Sequence, residues 1–216
     1  MKKLFLIFLL YFNFIGITSA EIIETNILKL KALNSCLSCN FSSGDLIGEN
    51  FSGAYLSEAN LSEANLSKSN FSEAFLNNAN LREANLSEAD LTGAYLSDAN
   101  LREANLSEAR LTGAYLRNAD LTGAYLRTAD LTGAYLIQAT LAKTYLAGAD
   151  LSGADLSGAD LSGAELSNAN FTGANLTGAV FIEAILCNTK ISLSYVDNSG
   201  CNYYRKIKMI TRLKKK

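Results

Sequence analysis

The 216-residue chain contains no histidine, no tryptophan and no proline. Missing histidine removes at one stroke the commonest general base and the commonest metal ligand. With no nucleophile, base and oxyanion arrangement in its place, the reading is non-enzymatic: no catalytic residue, no cofactor-binding residue and no metal ligand is nominated. Leu, Ala, Asn and Ser dominate instead, which is not the make-up of an ordinary globular domain.

Only one long apolar run occurs. In MKKLFLIFLLYFNFIGITSA, Lys2 and Lys3 precede an apolar stretch from Leu4 to Ile17, and Thr18, Ser19 and Ala20 close it with small residues. That order is a signal peptide pattern over residues 1–20, with cleavage expected after Ala20. The stretch is shorter than the roughly 20 residues a spanning helix needs, so an uncleaved anchor is the weaker reading. No cysteine follows the cleavage point, which argues against a lipoprotein. The expected destination is outside the bacterial cytoplasm: periplasm, extracellular space, or thylakoid lumen in a photosynthetic host.

The net charge of −2 conceals an asymmetry. From Phe41 to Leu186 there are 18 Asp and Glu against 7 Lys and Arg, a net of −11. From Lys190 to Lys216 there are 8 Lys and Arg against Asp197 alone, a net of +7. An acidic body carries a basic tail.

The body is a repeat. Every fifth residue from Phe41 to Leu186 is Leu or Phe, thirty centres without a break. Two places before each centre the residue is Ala at nearly every repeat from Ala54 to Ala184, with Ser69 and Thr144 as small exceptions. A helix smears a five-residue period around its whole cylinder, advancing the apolar position by about 140° each time. A flat strand alternates with period two and fails as well. A chain that turns a corner every five residues, always pointing the centre and the small residue inward, satisfies the pattern: a solenoid.

A longer period gives the number of corners per coil. Tyr55, Phe75, Tyr95, Tyr115 and Tyr135 stand immediately before their centres and are spaced by twenty. Thr92, Thr112, Thr132 and Thr172 recur in the same register, as do Asn60, Asn80 and Asn100, and Asn65, Asn85 and Asn105. Twenty residues per coil means four pentapeptides and four faces.

With ADLSG, ANLSE and ADLTG as its units, the chain resembles the pentapeptide-repeat family. The resemblance implies an all-β fold, the right-handed quadrilateral parallel β-helix, and right-handedness also agrees with the general rule for parallel crossovers. The opening Cys36-Leu37-Ser38-Cys39 before Asn40 and Phe41 is similar to that of some members. About seven or eight coils at roughly 4.8 Å make a rod on the order of 35 Å long. Single coils cannot persist alone, so stability grows with neighbours and both ends need caps.

Residues 21–35 are expected to form the N-terminal cap, a short helix with Ile27, Leu30 and Leu33 on one side and Thr25 or Asn26 as N-cap. The β-helix is expected over 36–196, with Ile191 and Val196 keeping register although Ala gives way to Thr189 and Ser194. Residues 197–216 read as a basic tail, helical from Tyr203 to Leu213.

Cys36-x-x-Cys39 invites a redox reading, but a thioredoxin-type motif belongs between a strand and a helix, and here it leads straight into repeats. A structural disulfide between Cys36 and Cys39, or inert buried thiols, is the plainer reading, with Cys39 in the inward small slot; Cys187 and Cys201 offer a similar closure at the far end. Zinc is poorly supported, because only the first pair has ligand spacing. Asp150, Asp155 and Asp160 fall on three different faces and do not converge on one ion. The Thr92, Thr112 and Thr132 column is a single rank of hydroxyls beside Gly93, Gly113 and Gly133, which suits a turn more than an ice-binding array.

The aromatic column is the candidate interface. In the fold implied by the resemblance, Tyr55, Phe75, Tyr95, Tyr115 and Tyr135 point outward as a ladder, with Tyr125 and Tyr145 on the opposite face. Such a ladder serves as framework through stacking or as a binding strip. The functional expectation is an exported, non-enzymatic structural or protein-interaction module that engages an unidentified macromolecule or a second copy of itself. No nucleic-acid partner and no cofactor are expected, and the basic tail offers weak contact with anionic membrane. The second reading comes from the resemblance: some members imitate DNA and inhibit type II topoisomerases, conferring quinolone resistance, and the acidic body suits that electrostatic logic.

Overall fold

The computed structural model describes residues 18–192 and 195–197, with the side chains of Ser192 and Tyr195–Asp197 left aside. The expected signal peptide is described only at its last three residues, and the tail beyond Asp197, including Cys201, lies outside the described residues.

The chain opens with helix α1, Ser19–Leu33. Its N-cap is Thr18, about two turns before the expected Thr25 or Asn26. The Thr18 hydroxyl accepts from the Glu21 N–H at 3.3 Å, and Glu21 Oε2 accepts from the Thr18 N–H at 2.8 Å, a reciprocal pair that satisfies two otherwise orphaned donors. Those bonds hold the Glu21 carboxyl below the usual carboxylate range. Thr25 and Asn26 are used differently: the Thr25 hydroxyl donates to the Glu21 carbonyl, and the Asn26 amide reaches the Asn40 carbonyl at 2.8 Å. Leu30 is buried against the first coil with Ile23 and Ile27 beside it, whereas Leu33, expected inside, is 67% exposed. The helix stops at Asn34, which is left-handed at φ 49° and sends its N–H back to Leu30, so Leu33 is left on the outer side of the exit.

Parallel bridges then join each outward residue to the one twenty places on, from Ser35 with Tyr55 through to Asn170 with Lys190. Four columns of bridges make four faces. Each face is one bridged residue wide, because a turn precedes and follows it.

The corners explain the five-residue period. At every fifth residue from Ser38 to Asn188 φ is positive, with glycine at twelve of these sites and other residues at nineteen. A left-handed residue two places after the centre swings the chain round, and the next amide closes the turn, as Ala79 N–H does on the Leu76 carbonyl at 3.1 Å. Centre amides bond forward to the following coil, as Leu76 does to Tyr95 at 2.7 Å; outward-residue amides bond backward, as Asn80 does to Ala59 at 2.9 Å. The left-handed residue's amide also bonds forward, as Asn78 does to Ser97 at 3.0 Å, so four of every five amides are paired within the backbone lattice.

Inside, the Leu or Phe centres and their Ala partners form one continuous core, fully buried through the middle of the rod. The two polar exceptions return their hydroxyls to the carbonyl of their own turn: Ser69 to Leu66, and Thr144 to Leu141 at 2.7 Å. Burial is then tolerated because each hydroxyl is satisfied locally.

The last coil departs from expectation. Thr189–Ser192 is a strand, β1, and Tyr195–Asp197 a second, β2, paired antiparallel to it with Lys190 opposite Val196. The solenoid path therefore ends at Lys190, and Val196 belongs to a reversal instead of a further corner. The Ala-centred motif has already lapsed there, removing the pattern that drives another turn.

Two substitutions separate backbone strain from packing. Nothing lies within 4 Å of a Cβ built on Gly113, whose φ is +64°, so Gly113→Ala tests conformation alone and should cost about 1 kcal/mol in denaturant unfolding. Leu96→Ala, at a fully buried centre, should cost about 2–5 kcal/mol in the same measurement.

Candidate interaction face

The fifth amide of each repeat, one place after the centre, is served by a side chain. Where the outward residue is Asn, Asp or Glu, its oxygen, except at Asp45, accepts from the N–H two places on: Asn60 from Ser62 at 3.2 Å, Asp120 from Thr122 at 2.9 Å, Glu165 from Ser167 at 3.0 Å. This side-chain turn is why Asn and Asp recur in that slot. The Asn columns also bond along the rod, Nδ2 to Oδ1, from Asn100 to Asn80 to Asn60 to Asn40 at 3.2–3.3 Å and from Asn105 to Asn85 to Asn65 at 3.2 Å.

One face gives this up. Tyr55, Phe75, Tyr95, Tyr115 and Tyr135 stack with ring centroids 4.6–4.9 Å apart and planes within 6° of parallel. An aromatic ring offers no acceptor to the corner, and among the described residues the amides of Ser57, Asn77, Ser97, Arg117 and Ile137 meet no carbonyl or side-chain oxygen. The exchange is close to even: a stacked pair contributes roughly 0.5–1.5 kcal/mol beyond burial, and the forgone bond about as much. The ladder is therefore poorly explained by stability alone. Tyr125 and Tyr145 repeat the stack at 4.9 Å half a coil away, so Tyr125 and Tyr135, ten residues apart, project from opposite faces.

A shallow groove of about 460 Å³ runs beside the longer ladder, lined by Gly53, Glu73, Phe75, Gly93, Tyr95, Gly113 and Tyr115. Glycines at these corners leave most of its floor bare, with the Glu73 side chain reaching over Gly93 and the Asn34 amide over Gly53. The face thus carries a ridge of ring edges, a trough on one flank and a row of open amides on the other. Sequence reasoning found the ridge. It missed the trough and the amides, although the Thr-Gly column and the lack of Asn or Asp in the aromatic slot carry both signals.

The remaining nominated residues are structural. Cys36 and Cys39 are joined in a disulfide with Cα atoms 5.4 Å apart, both buried beneath α1, and Cys187 is also disulfide-bonded. Thr92 and Thr112 direct their hydroxyls to Asp90 and Asp130, which leaves no free hydroxyl rank. Asp150, Asp155 and Asp160 sit in three separate bridge columns, and no cluster of three metal-ligating side chains occurs among the described residues. No helix among them is long and apolar enough to cross a membrane.

Charge elsewhere on the rod is tied down locally. Burial pushes the Asp120 carboxyl up, but bonds from the Thr122 hydroxyl and amide and from Arg102 outweigh it, so it titrates below the usual range. Asp130 behaves alike, with Thr132, Thr112 and Arg110 prevailing over burial. A depressed carboxyl stabilises the fold above its unfolded value and loses that effect as pH falls through the folded one. Thermal stability should therefore be level down to about pH 4 and decline below it. Asp120→Asn should keep the turn to Thr122 and flatten part of that decline, as followed by circular dichroism.

The ladder makes its own prediction. Tyr95→Ala should cost about 1–3 kcal/mol by removing two stacked contacts, whereas Tyr95→Asn, which restores an acceptor for the Ser97 amide, should lose less than half as much in the same unfolding experiment.

A family model described as pentapeptide repeats matches in eight copies over residues 36–72, 59–98, 94–133, 129–168 and 164–198. Among solved structures, HetL, a pentapeptide repeat protein involved in heterocyst differentiation regulation in the cyanobacterium Nostoc sp. strain PCC 7120, is 31% identical, covering 79% of this chain and 98% of its own, with a TM-score of 0.36. Rfr23 from the cyanobacterium Cyanothece 51142 is 28% identical over 79% of this chain and 97% of its own, with a TM-score of 0.33. A trypsin-treated variant of QnrB1, a plasmid-mediated fluoroquinolone resistance protein, is 24% identical over 77% of this chain and 89% of its own, with a TM-score of 0.56. No curated protein matches at a significant level. Period, corner geometry and family match agree, and the chain belongs to the pentapeptide-repeat family, whose members fold as right-handed quadrilateral β-helices.

Proposed function

We propose that this chain is an exported, non-enzymatic interaction rod that docks a macromolecule, or a second copy of itself, on the face carrying Tyr55 to Tyr135. The single observation behind this reading is the forgone corner bond: five successive coils replace a self-satisfying Asn or Asp with an aromatic ring that brings little net stability. Export rests on the expected signal peptide over residues 1–20.

Stacking also restricts how a partner engages. Each interior ring has both faces covered by its neighbours, which leaves no platform for a sugar or a base to stack upon. Contact is edge-on, to ring rims, tyrosine hydroxyls and the open amides of Ser97 and Arg117. Glu58, Glu73, Asp98 and Arg117 are the charged groups flanking the ladder from Ser52 to Gln138. An aromatic-centred strip with a sparsely charged polar rim suits a protein surface.

Tyr95→Asn with Tyr115→Asn should abolish capture of the partner from the exported fraction, or shift the mass measured by light scattering from dimer to monomer, while the circular dichroism spectrum stays unchanged. A monomer that retains the same captured partners after both substitutions removes the ladder from the interface.

DNA imitation is supported by the acidity of the body, but Arg82, Arg102, Arg110, Arg117 and Arg127 interrupt the negative charge through the middle of the rod. On the favoured reading, the mature protein leaves gyrase supercoiling unchanged and gives no protection against a quinolone.

A further inference from the structure

The C-terminal end of the rod is an open core. In the central coils the Leu and Ala of the repeats are fully buried, yet Ala174, Leu176, Ala179, Phe181 and Ala184 are only partly so. The backbone is open there too. Leu156 and Leu161 send their amides to Asn175 and Val180 above them, whereas among the described residues the equivalent amides of Leu176 and Phe181 meet no carbonyl. The β1–β2 hairpin pairs along Thr189–Ser192, at the Lys190 corner of that coil. A solenoid end with bare apolar surface and unpaired amides requires a cover.

The chain itself carries a suitable one. Its described path ends at Asp197, opposite Thr189 on that last coil, and the remaining residues, 198–216, set out from there. They include Tyr203, Ile207 and Ile210, spaced to share one side of a helix. Their charge also matches. No Lys or Arg occurs between Lys143 and Lys190, while Asp150, Asp155, Asp160, Glu165 and Glu183 all lie in that interval. The charged groups of residues 198–216 are all basic, opposite in sign to those of the last two coils before Lys190. Finally, Cys187, on the last corner, is disulfide-bonded. Because Cys36 and Cys39 are joined to each other, Cys201 is the one other cysteine in the chain.

We propose that residues 202–216 lie across the C-terminal end of the rod as its cap, tethered by a Cys187–Cys201 disulfide, with Tyr203, Ile207 and Ile210 over Leu176 and Phe181 and the basic groups toward the acidic rim. This occupant is independent of the aromatic ladder. It balances chemically as an ordinary thiol oxidation: two thiols lose two protons and two electrons to a disulfide oxidant of the exporting compartment.

Two measurements test it. Deleting residues 202–216 should speed amide hydrogen exchange at Leu176, Phe181 and Ile185 by at least about tenfold and leave exchange at Leu96 and Leu116 unchanged. Equal rates with and without the tail would overturn the proposal. In the full chain, which has no tryptophan, Ile207→Trp supplies a single reporter. Its emission should be blue-shifted and shielded from acrylamide at all protein concentrations, and should move to the red when dithiothreitol opens the tether. A solvent-like spectrum overturns the proposal; so does shielding that arises only at high protein concentration, which indicates a second copy, or only with anionic phosphatidylglycerol vesicles, which indicates a membrane.

Discussion

Everything in this molecule depends on a left-handed residue every fifth position. One such residue turns the chain by a quarter of a coil; four bring it back above its starting point, and the hydrogen-bonded register of twenty follows. Because L-residues other than glycine resist that conformation, each corner stores a small strain that only the lattice of neighbouring coils holds in place. Nineteen of the corners are built from residues such as Glu, Asn and Lys. Cohesion between coils, through buried Leu and Ala and forward and backward amide bonds, is thus a condition for the corner geometry as well as its product.

That condition explains which side chains face outward. The backbone lattice pairs four amides in five and leaves the one after each centre to be served locally. Asn and Asp are short, carry an acceptor at the right reach and tolerate turns, so they are the default outer residue. Any other residue in that slot marks a place where something competed with self-satisfaction. Tyr and Phe on one face, Tyr125 and Tyr145 on another, Arg110 on a third and Thr140 and Val180 on the fourth are among those places, and they are where interaction is most economically sought.

Much of this was legible in the sequence because a strict repeat encodes geometry in its period. Leu at every fifth place and aromatics at every twentieth give the corner, the coil and the opposition of Tyr125 to Tyr135 without any coordinates. The ends were harder, since they follow no period. The capping box of Thr18 and Glu21 straddles the expected cleavage point and was passed over for Thr25 and Asn26, which the fold uses for other bonds. Val196 keeps the spacing of a centre but lies in an antiparallel return, because spacing alone does not reveal which way a chain is travelling. The vacancy beside the aromatic ladder is a different omission: it is a bond that is not made, and a pattern of residues announces it only once the partner of every amide is known.

The twenty-residue register also makes the rod's length a matter of discrete steps. Insertion or loss of a single repeat leaves the core pattern intact but rotates everything beyond it by one face, and loss of two repeats rotates it by half a coil. Removing residues 126–135, for instance, would carry Tyr145 beneath Tyr115 into the place of the lost Tyr135, leave Tyr125 without its stacking partner on the opposite face, and take Asp130 out of its column. Only changes of four repeats extend or shorten a surface without rewriting it. A gene encoding such a rod can therefore exchange one surface for another by slippage alone, with no change in any side chain and almost none in the hydrophobic core.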